Sequence, residues 1–179
     1  GIKGLEFSNP EIKAERLYHP PSKNWPEPRP KGMAFQVTIP KTVPPGSYDV
    51  RVSGYYGLSS PRIFQVSPLA GPVEVDAEVE PNNTIETARV LSLESVANGK
   101  ISLQKGDYYK IALKKGQRVL VHCWAIRLGS KLDAKLSLYD SKGNEVFNNN
   151  DYVGRDPMLD ITAPQDGDYY VSVSDQTWL

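Results

Sequence analysis

The stretch Val73-Glu74-Val75-Asp76-Ala77-Glu78-Val79-Glu80 alternates apolar and acidic residues without a break. In an extended chain this lines four carboxylates along one face, about 7 Å apart, twice the rise of a strand residue. Like charges in a row repel, and a hard cation relieves the repulsion. Calcium is the natural candidate, because it takes roughly six to eight oxygen ligands from carboxylates, amides and carbonyls. The competing expectation is a solvated acidic linker, the usual fate of a charge run.

A second oxygen-rich stretch is Asn148-Asn149-Asn150-Asp151, with Asp156 and Asp160 beyond it. Its spacing does not fit the EF-hand pattern, so a polar hairpin or loop is expected there rather than a cation site. Asn82-Asn83-Thr84 fits the N-glycosylation sequon, but so short a pattern arises readily by chance.

For catalysis the sequence offers little. His122 and Cys123 are adjacent, so in a strand they point to opposite faces and cannot form a dyad. His19 lies far away, beside Pro20. No nucleophile elbow, zinc-protease motif or glycine-rich phosphate loop is present. Cys123 reads as a small buried hydrophobe, and His122, on the strand side of Leu120 and Trp124, as a packed structural histidine. No enzymatic activity is expected.

The tyrosine pairs Tyr55-Tyr56, Tyr108-Tyr109 and Tyr169-Tyr170 each place one ring inward and one outward if they lie in strands. The outward set, taken as Tyr55, Tyr108 and Tyr170, is a candidate surface for binding protein or glycan. Cross-strand packing is the plainer expectation, and the one favoured.

These side chains must be positioned by strands. The chain has 179 residues, with 15 Pro, 14 Gly, 10 Tyr and a single Cys, a balance that suits short strands and tight turns. One Cys excludes an internal disulfide and any Cys-based zinc or iron–sulfur site. Lys plus Arg number 21 and Asp plus Glu number 21, without the basic excess of a nucleic-acid binder. That balance hides an asymmetry: residues 1–72 carry nine basic against five acidic side chains, and residues 73–179 twelve against sixteen. The longest apolar run, Val119 to Ile126, is broken by His122 and falls far short of the ~20 residues that span a bilayer. No charged start followed by an apolar stretch opens the sequence. The ends, Gly1 and Asp175-Gln176-Thr177-Trp178-Leu179, read as those of a piece cut from a longer chain.

The small-residue stretch Ser67-Pro68-Leu69-Ala70-Gly71-Pro72 reads as a domain boundary, dividing the chain into 1–72 and 73–179. In the first part Met33, Phe35, Val37 and Ile39 form one period-2 row, and Tyr48, Val50 and Val52 another, with Pro44-Pro45-Gly46 as the turn. Phe64 and Val66 begin a third. Pro20 to Pro30 reads as a loop of polyproline character. The part is short for a sandwich of roughly 100 residues, so its first strands are expected to be missing. In the second part the inward rows are Tyr109, Ile111 and Leu113; Val119, Val121 and Cys123; Leu136 and Leu138; and Tyr169, Val171 and Val173. Thr84 to Leu91 reads as a helix capped by Asn83. Strand after short strand at regular spacing predicts an all-β fold of two sandwich modules.

Three stretches go beyond pattern: Glu78-Val79-Glu80-Pro81-Asn82-Asn83-Thr84, then Asn98-Gly99-Lys100-Ile101 with Gly106-Asp107-Tyr108-Tyr109-Lys110-Ile111, and Ala163-Pro164-Gln165-Asp166-Gly167-Asp168-Tyr169-Tyr170-Val171-Ser172-Val173. In this order they resemble the bacterial pre-peptidase C-terminal domain family over residues 74–179. The resemblance implies a secreted, non-catalytic, jelly-roll-like sandwich appended to exported enzymes or surface proteins, with calcium at its N-terminal edge in several members. It implies Glu78, Glu80, Asn82 and Asp107 as ligands. The Gly99 carbonyl is a candidate to complete the shell, since glycine admits close backbone approach. Gln104 stands where the best-known calcium-binding members carry an aspartate, which removes one charge.

Val43-Pro44-Pro45-Gly46-Ser47-Tyr48-Asp49-Val50-Arg51-Val52 and Gly57-Leu58-Ser59 resemble the later part of an immunoglobulin-like domain of the transcription-factor-immunoglobulin type. The expectation is a calcium-stabilised accessory or adhesion module of a larger secreted, cell-surface or periplasmic bacterial protein. Its partners would be the parent chain's other domains and an extracellular protein or polysaccharide, with no nucleic acid and no membrane span. The alternative is a module binding fibrous protein or polysaccharide, attached to a secreted hydrolase.

Overall fold

A computed structural model describes residues 1–67, 81–101 and 106–178. Every regular element among them is a β-strand, apart from two single-turn 3-10 helices, Ile126–Leu128 and Gln176–Trp178. No helix among the described residues is long and apolar enough to cross a membrane. The chain divides into two compact units, Gly1–Pro68 and Leu69–Leu179.

The first unit contains β1 (Ile2–Phe7), β2 (Lys13–His19), β3 (Arg29–Thr38), β4 (Gly46–Gly54), β5 (Gly57–Leu58) and β6 (Arg62–Val66). β4 is central to one sheet, pairing antiparallel with β1, β5 and β6, while β2 and β3 form a separate hairpin. Register sets Phe7 opposite Val50, and Tyr48 opposite Phe64. The rings of Phe7 and Phe64 meet edge to face at 5.1 Å, a favoured aromatic geometry.

The row expected along β3 is shorter than its alternation suggests. Phe35 and Val37 are half-buried, but Met33 is 69% and Ile39 42% exposed. The pairing of β2 with β3 shifts register between Arg16 and Tyr18, near Gly32 with φ +57°, a left-handed value that glycine adopts without penalty. That irregularity takes Met33 off the face shared by Phe35 and Val37, whereas Ile39 lies beyond the end of β3 at Thr38. The prolines expected to form a loop end within β3, since Pro30 pairs with Tyr18 and Arg29 with His19.

The second unit contains β7 (Arg89–Val90), β8 (Asp107–Leu113), β9 (Arg118–His122), β10 (Ala134–Tyr139), β11 (Glu145–Asn149), β12 (Met158–Thr162) and β13 (Gly167–Asp175). Five of these form a sheet in the order β11-β10-β13-β8-β7, and β12 pairs with β9 in a second. The inward rows meet in one core: Ile111, Leu113, Leu136, Leu138, Leu159, Ile161, Ala163, Tyr169 and Val171, with Val119, Val121, Cys123 and Val173 packed against it. Burying each such aliphatic side chain contributes roughly 1.5–3 kcal/mol.

The helix expected over Thr84 to Leu91 does not form. Thr84 and Thr87 exchange side-chain and backbone hydrogen bonds within a turn, a local arrangement by which threonine competes with helix. Arg89–Val90 then pairs parallel with β8, and the Leu91 N–H donates to the Lys110 carbonyl at 2.8 Å.

Candidate functional site

β8 begins at Asp107, whose side chain is completely buried, as is that of Asn82. The Tyr108 N–H donates to the Asn82 carbonyl at 2.7 Å, so an amide and a carboxylate expected as ligands are brought to one end of β8. Gly106, just before it, packs closely on the neighbouring strand: a Cβ there would meet the Val173 carbonyl oxygen at 3.1 Å, so that backbone would have to give by a few tenths of an ångström. Gly99 lines a surface hollow of about 440 Å³ with Lys100, Ser130, Lys131, Asp175 and Thr177. Asp175 lies two residues beyond Val173, which pairs with Asp107. Glu78 and Glu80, like Gln104 and the acidic run from Glu74, lie outside the described residues. Among the described residues no three His, Cys, Asp or Glu side chains converge on a point. The donor chemistry of Asn82 and Asp107, neutral and anionic oxygen, fits calcium and suits a softer metal poorly.

Of the outward tyrosines, Tyr108 and Tyr170 share the outer face of the five-stranded sheet, while Tyr109 and Tyr169 are buried on the inner one. Tyr139, not expected from sequence, joins them. It is the cross-strand partner of Tyr170, and its ring lies 5.7 Å from that of Tyr108. Its position follows from the Leu136–Leu138 row, since the next residue must face outward. Beneath them Ser137 and Ser172 pair and are buried. Lys110, opposite Tyr170, forms an ion pair with Asp168 at 3.3 Å. Burial, and then the adjacent Tyr139 hydroxyl, push the Tyr108 phenol up to about 12. Tyr55 and Tyr56 depart from the strand expectation. They form the two-residue turn between β4 and β5, and both rings are exposed, 75% and 98%.

His122 and Cys123 lie on opposite faces at the end of β9. The expected packing of His122 is not found: it is exposed, on the outer row with Arg118 and with Leu120, which is 53% exposed. The inner row of β9 carries the core contacts, leaving the even-numbered side chains to solvent. Cys123 is partly buried, and burial, with the Asp156 carboxylate adding to it, pushes its thiol up to about 11. Such a thiol is unreactive as a nucleophile near neutral pH.

Asp156, expected in a polar loop, is a buried anchor. It is 1% exposed and accepts hydrogen bonds from the Ala125, Ile126 and Arg127 N–H groups and from the Arg127 guanidinium at 2.6 Å. Burial raises its pKa, but the guanidinium and the three N–H donors outweigh it and hold the carboxyl below its usual value. Asp160 instead forms a bidentate pair with Arg118, and Asn149 accepts from the Met158 N–H. The oxygens of this stretch are thus directed to different partners.

Residues 105–175 are matched by the family model of the bacterial pre-peptidase C-terminal domain. The chain is also 28% identical over 99 residues to a probable subtilase-type serine protease of Deinococcus radiodurans. The alignment covers 53% of this chain and 14% of that protein. The chain therefore spans a small part of its relative's length.

Proposed function

We propose that the chain is a non-catalytic accessory module of a larger exported bacterial protein, with calcium stabilising its second unit. The observation that carries this reading is the pre-peptidase C-terminal domain match over residues 105–175, the segment that supplies most of the buried core. The probable protease relative supports attachment to an exported enzyme, and secretion with it. Asn82 and Asp107, both buried and linked through the backbone bond of Tyr108 to Asn82, would hold the cation together with Glu78, Glu80 and the Gly99 carbonyl. Binding there would fasten the segment before β8 to the sheet.

The test is thermal melting with calcium and with chelator, on wild type and on Glu80→Gln. For a dissociation constant near 10 μM, ~1 mM calcium is a hundredfold excess and adds about 2.7 kcal/mol. A calcium-dependent rise that Glu80→Gln abolishes is expected. Identical melts, with no heat of binding by calorimetry, would leave a charged linker in place of the site.

A second reading, a module that binds fibrous protein or polysaccharide, is favoured by the convergence of Tyr108, Tyr139 and Tyr170 on one sheet face. Pull-down on collagen, chitin, cellulose and peptidoglycan, with Tyr170→Ala as the comparison, separates adhesion from a purely spacing role. Retention that Tyr170→Ala removes supports adhesion, and no retention on any matrix leaves the spacer.

A further inference from the structure

We propose that the tip of the β2–β3 hairpin in the first unit binds an acidic polysaccharide, with Trp25 stacking on a sugar ring and Arg29 receiving a carboxylate. Residues 18–33 are exposed throughout, including Tyr18 at 52% and Trp25 at 54%. Despite that exposure the tip is built. Ser22 and Trp25 close it with reciprocal backbone hydrogen bonds of 2.7 and 3.0 Å, and the five prolines Pro20, Pro21, Pro26, Pro28 and Pro30 fix φ along it. At its base the Arg16 guanidinium donates to the Ile2 carbonyl at 2.7 Å and the Gly32 carbonyl at 3.1 Å. A segment ordered in advance loses little entropy when it binds.

The Arg29 guanidinium lies 4.2 Å from the centre of the Trp25 ring, a cation–π arrangement that holds both groups at the surface. Lys23 and Lys31 flank it, with Glu27 as the one acidic residue of the tip. Among the described residues none of the Lys or Arg side chains of 1–67 forms an ion pair. A second arginine–tryptophan pair shows the contrast. Arg127 lies 4.9 Å from the Trp124 ring, but its charge is taken up by buried Asp156, and that pair is structural. At Arg29 the charge is uncompensated.

With the Arg29 guanidinium over one face of the Trp25 ring, a sugar ring would stack on the other face, and the carboxylate of an adjoining sugar would meet Arg29 at the ring edge, where arginine can hold it in bidentate fashion. Three cations are too few for the charge density of duplex DNA, one phosphate per ~1.7 Å of axis. They suit a polymer with one carboxylate per sugar or per pair of sugars.

The experiment is affinity electrophoresis of the 179-residue chain through gels containing polygalacturonate, neutral dextran, poly-glutamate or single-stranded DNA, with Kd on polygalacturonate measured by calorimetry. Retardation by polygalacturonate alone is expected, weakened roughly tenfold by Arg29→Gln, the loss of about one charge-assisted contact, and weakened as well by Trp25→Ala, the loss of the stacking face. Lys41→Gln removes a cation of the same unit outside the tip and is expected to bind nearly as wild type. Circular dichroism checks that each variant keeps its fold. No retardation by polygalacturonate, equal retardation by poly-glutamate or DNA, or an equal loss in Lys41→Gln would overturn the proposal. Because the tip lies in the first unit, the losses expected in Trp25→Ala and Arg29→Gln depend neither on calcium nor on the tyrosine face, and retardation left unchanged by both variants would also overturn the proposal.

Discussion

The two units are both built from short antiparallel strands, yet they bury very different amounts of side chain. In the first, the fully buried hydrophobic residues are Ile12 and Val43, and both lie in connections rather than in strands. In the second, a contiguous cluster running from Ile111 to Val171 is enclosed between two sheets. Charge follows the same division. Lys110 pairs with Asp168, Lys114 with Asp166, Arg118 with Asp160, Arg127 with Asp156 and Arg155 with Asp133, all in the second unit. In the first, Arg16 and Arg51 are satisfied by backbone carbonyls instead. Similar local patterning therefore yields a unit tied by core and ion pairs, and another with aromatic and cationic side chains left at the surface.

The largest effect is expected where the second unit buries a charge. Asp156→Ala would leave the Arg127 guanidinium and three N–H donors without their acceptor, at a cost of about 3–5 kcal/mol in urea unfolding. Since the Asp156 carboxyl is held below its ordinary value, its contribution is present above the unfolded carboxylate pKa, near 3.9. It is lost as pH falls through the lowered folded value. Asp156→Asn should therefore flatten the loss of stability below about pH 4, and an unchanged acid limb would remove Asp156 from the contrast.

Core deletion tests the difference in burial. Leu136, 1% exposed, should cost about 2–5 kcal/mol when changed to alanine. Phe35→Ala in the half-buried row of β3 should cost less than half as much, because less apolar surface leaves water on folding. Equal losses in chemical denaturation would show that the first unit is as tightly packed as the second.

The smallest effect is spectroscopic. Absorbance at alkaline pH should show the Tyr108 phenol titrating at about 12, and Tyr108→Phe should remove that contribution. As this phenol ionises later in the fold than in the open chain, stability falls as pH rises from the ordinary tyrosine value near 10 toward that of the folded state. If removing Tyr108 leaves the late titration in place, burial of the outer tyrosine face is not its origin.

Much of the second unit was legible because alternation is a local property. The inner rows of β8, β9, β10 and β13 follow from side-chain direction alone, and turn chemistry supplied their ends. Asp140 in the β10–β11 turn, for example, accepts from the Lys142 and Asn144 N–H groups, with Gly143 at φ +80°, as a turn residue should. The family resemblance, matched by the family model over residues 105–175, likewise needed no coordinates.

What depended on pairing between distant segments was not legible. The Thr84–Thr87 turn has the composition of a capped helix, but strand pairing of Arg89–Val90 with β8 decided against one. The inward row of Val119, Val121 and Cys123 puts His122 on the outer face of β9, yet that this face is left to solvent rather than packed was decided by tertiary structure. Asp156 lies 29 residues from Arg127, and Tyr139 and Tyr170 are 31 apart in number. No spacing rule connects such pairs. The sequence by itself determined the all-β class, the inward rows and the family resemblance, because each arises from short-range geometry and residue order. Tertiary structure alone decided which carboxylate is buried, which tyrosines converge and where cations remain uncompensated, because burial and charge pairing are set by which strands become neighbours.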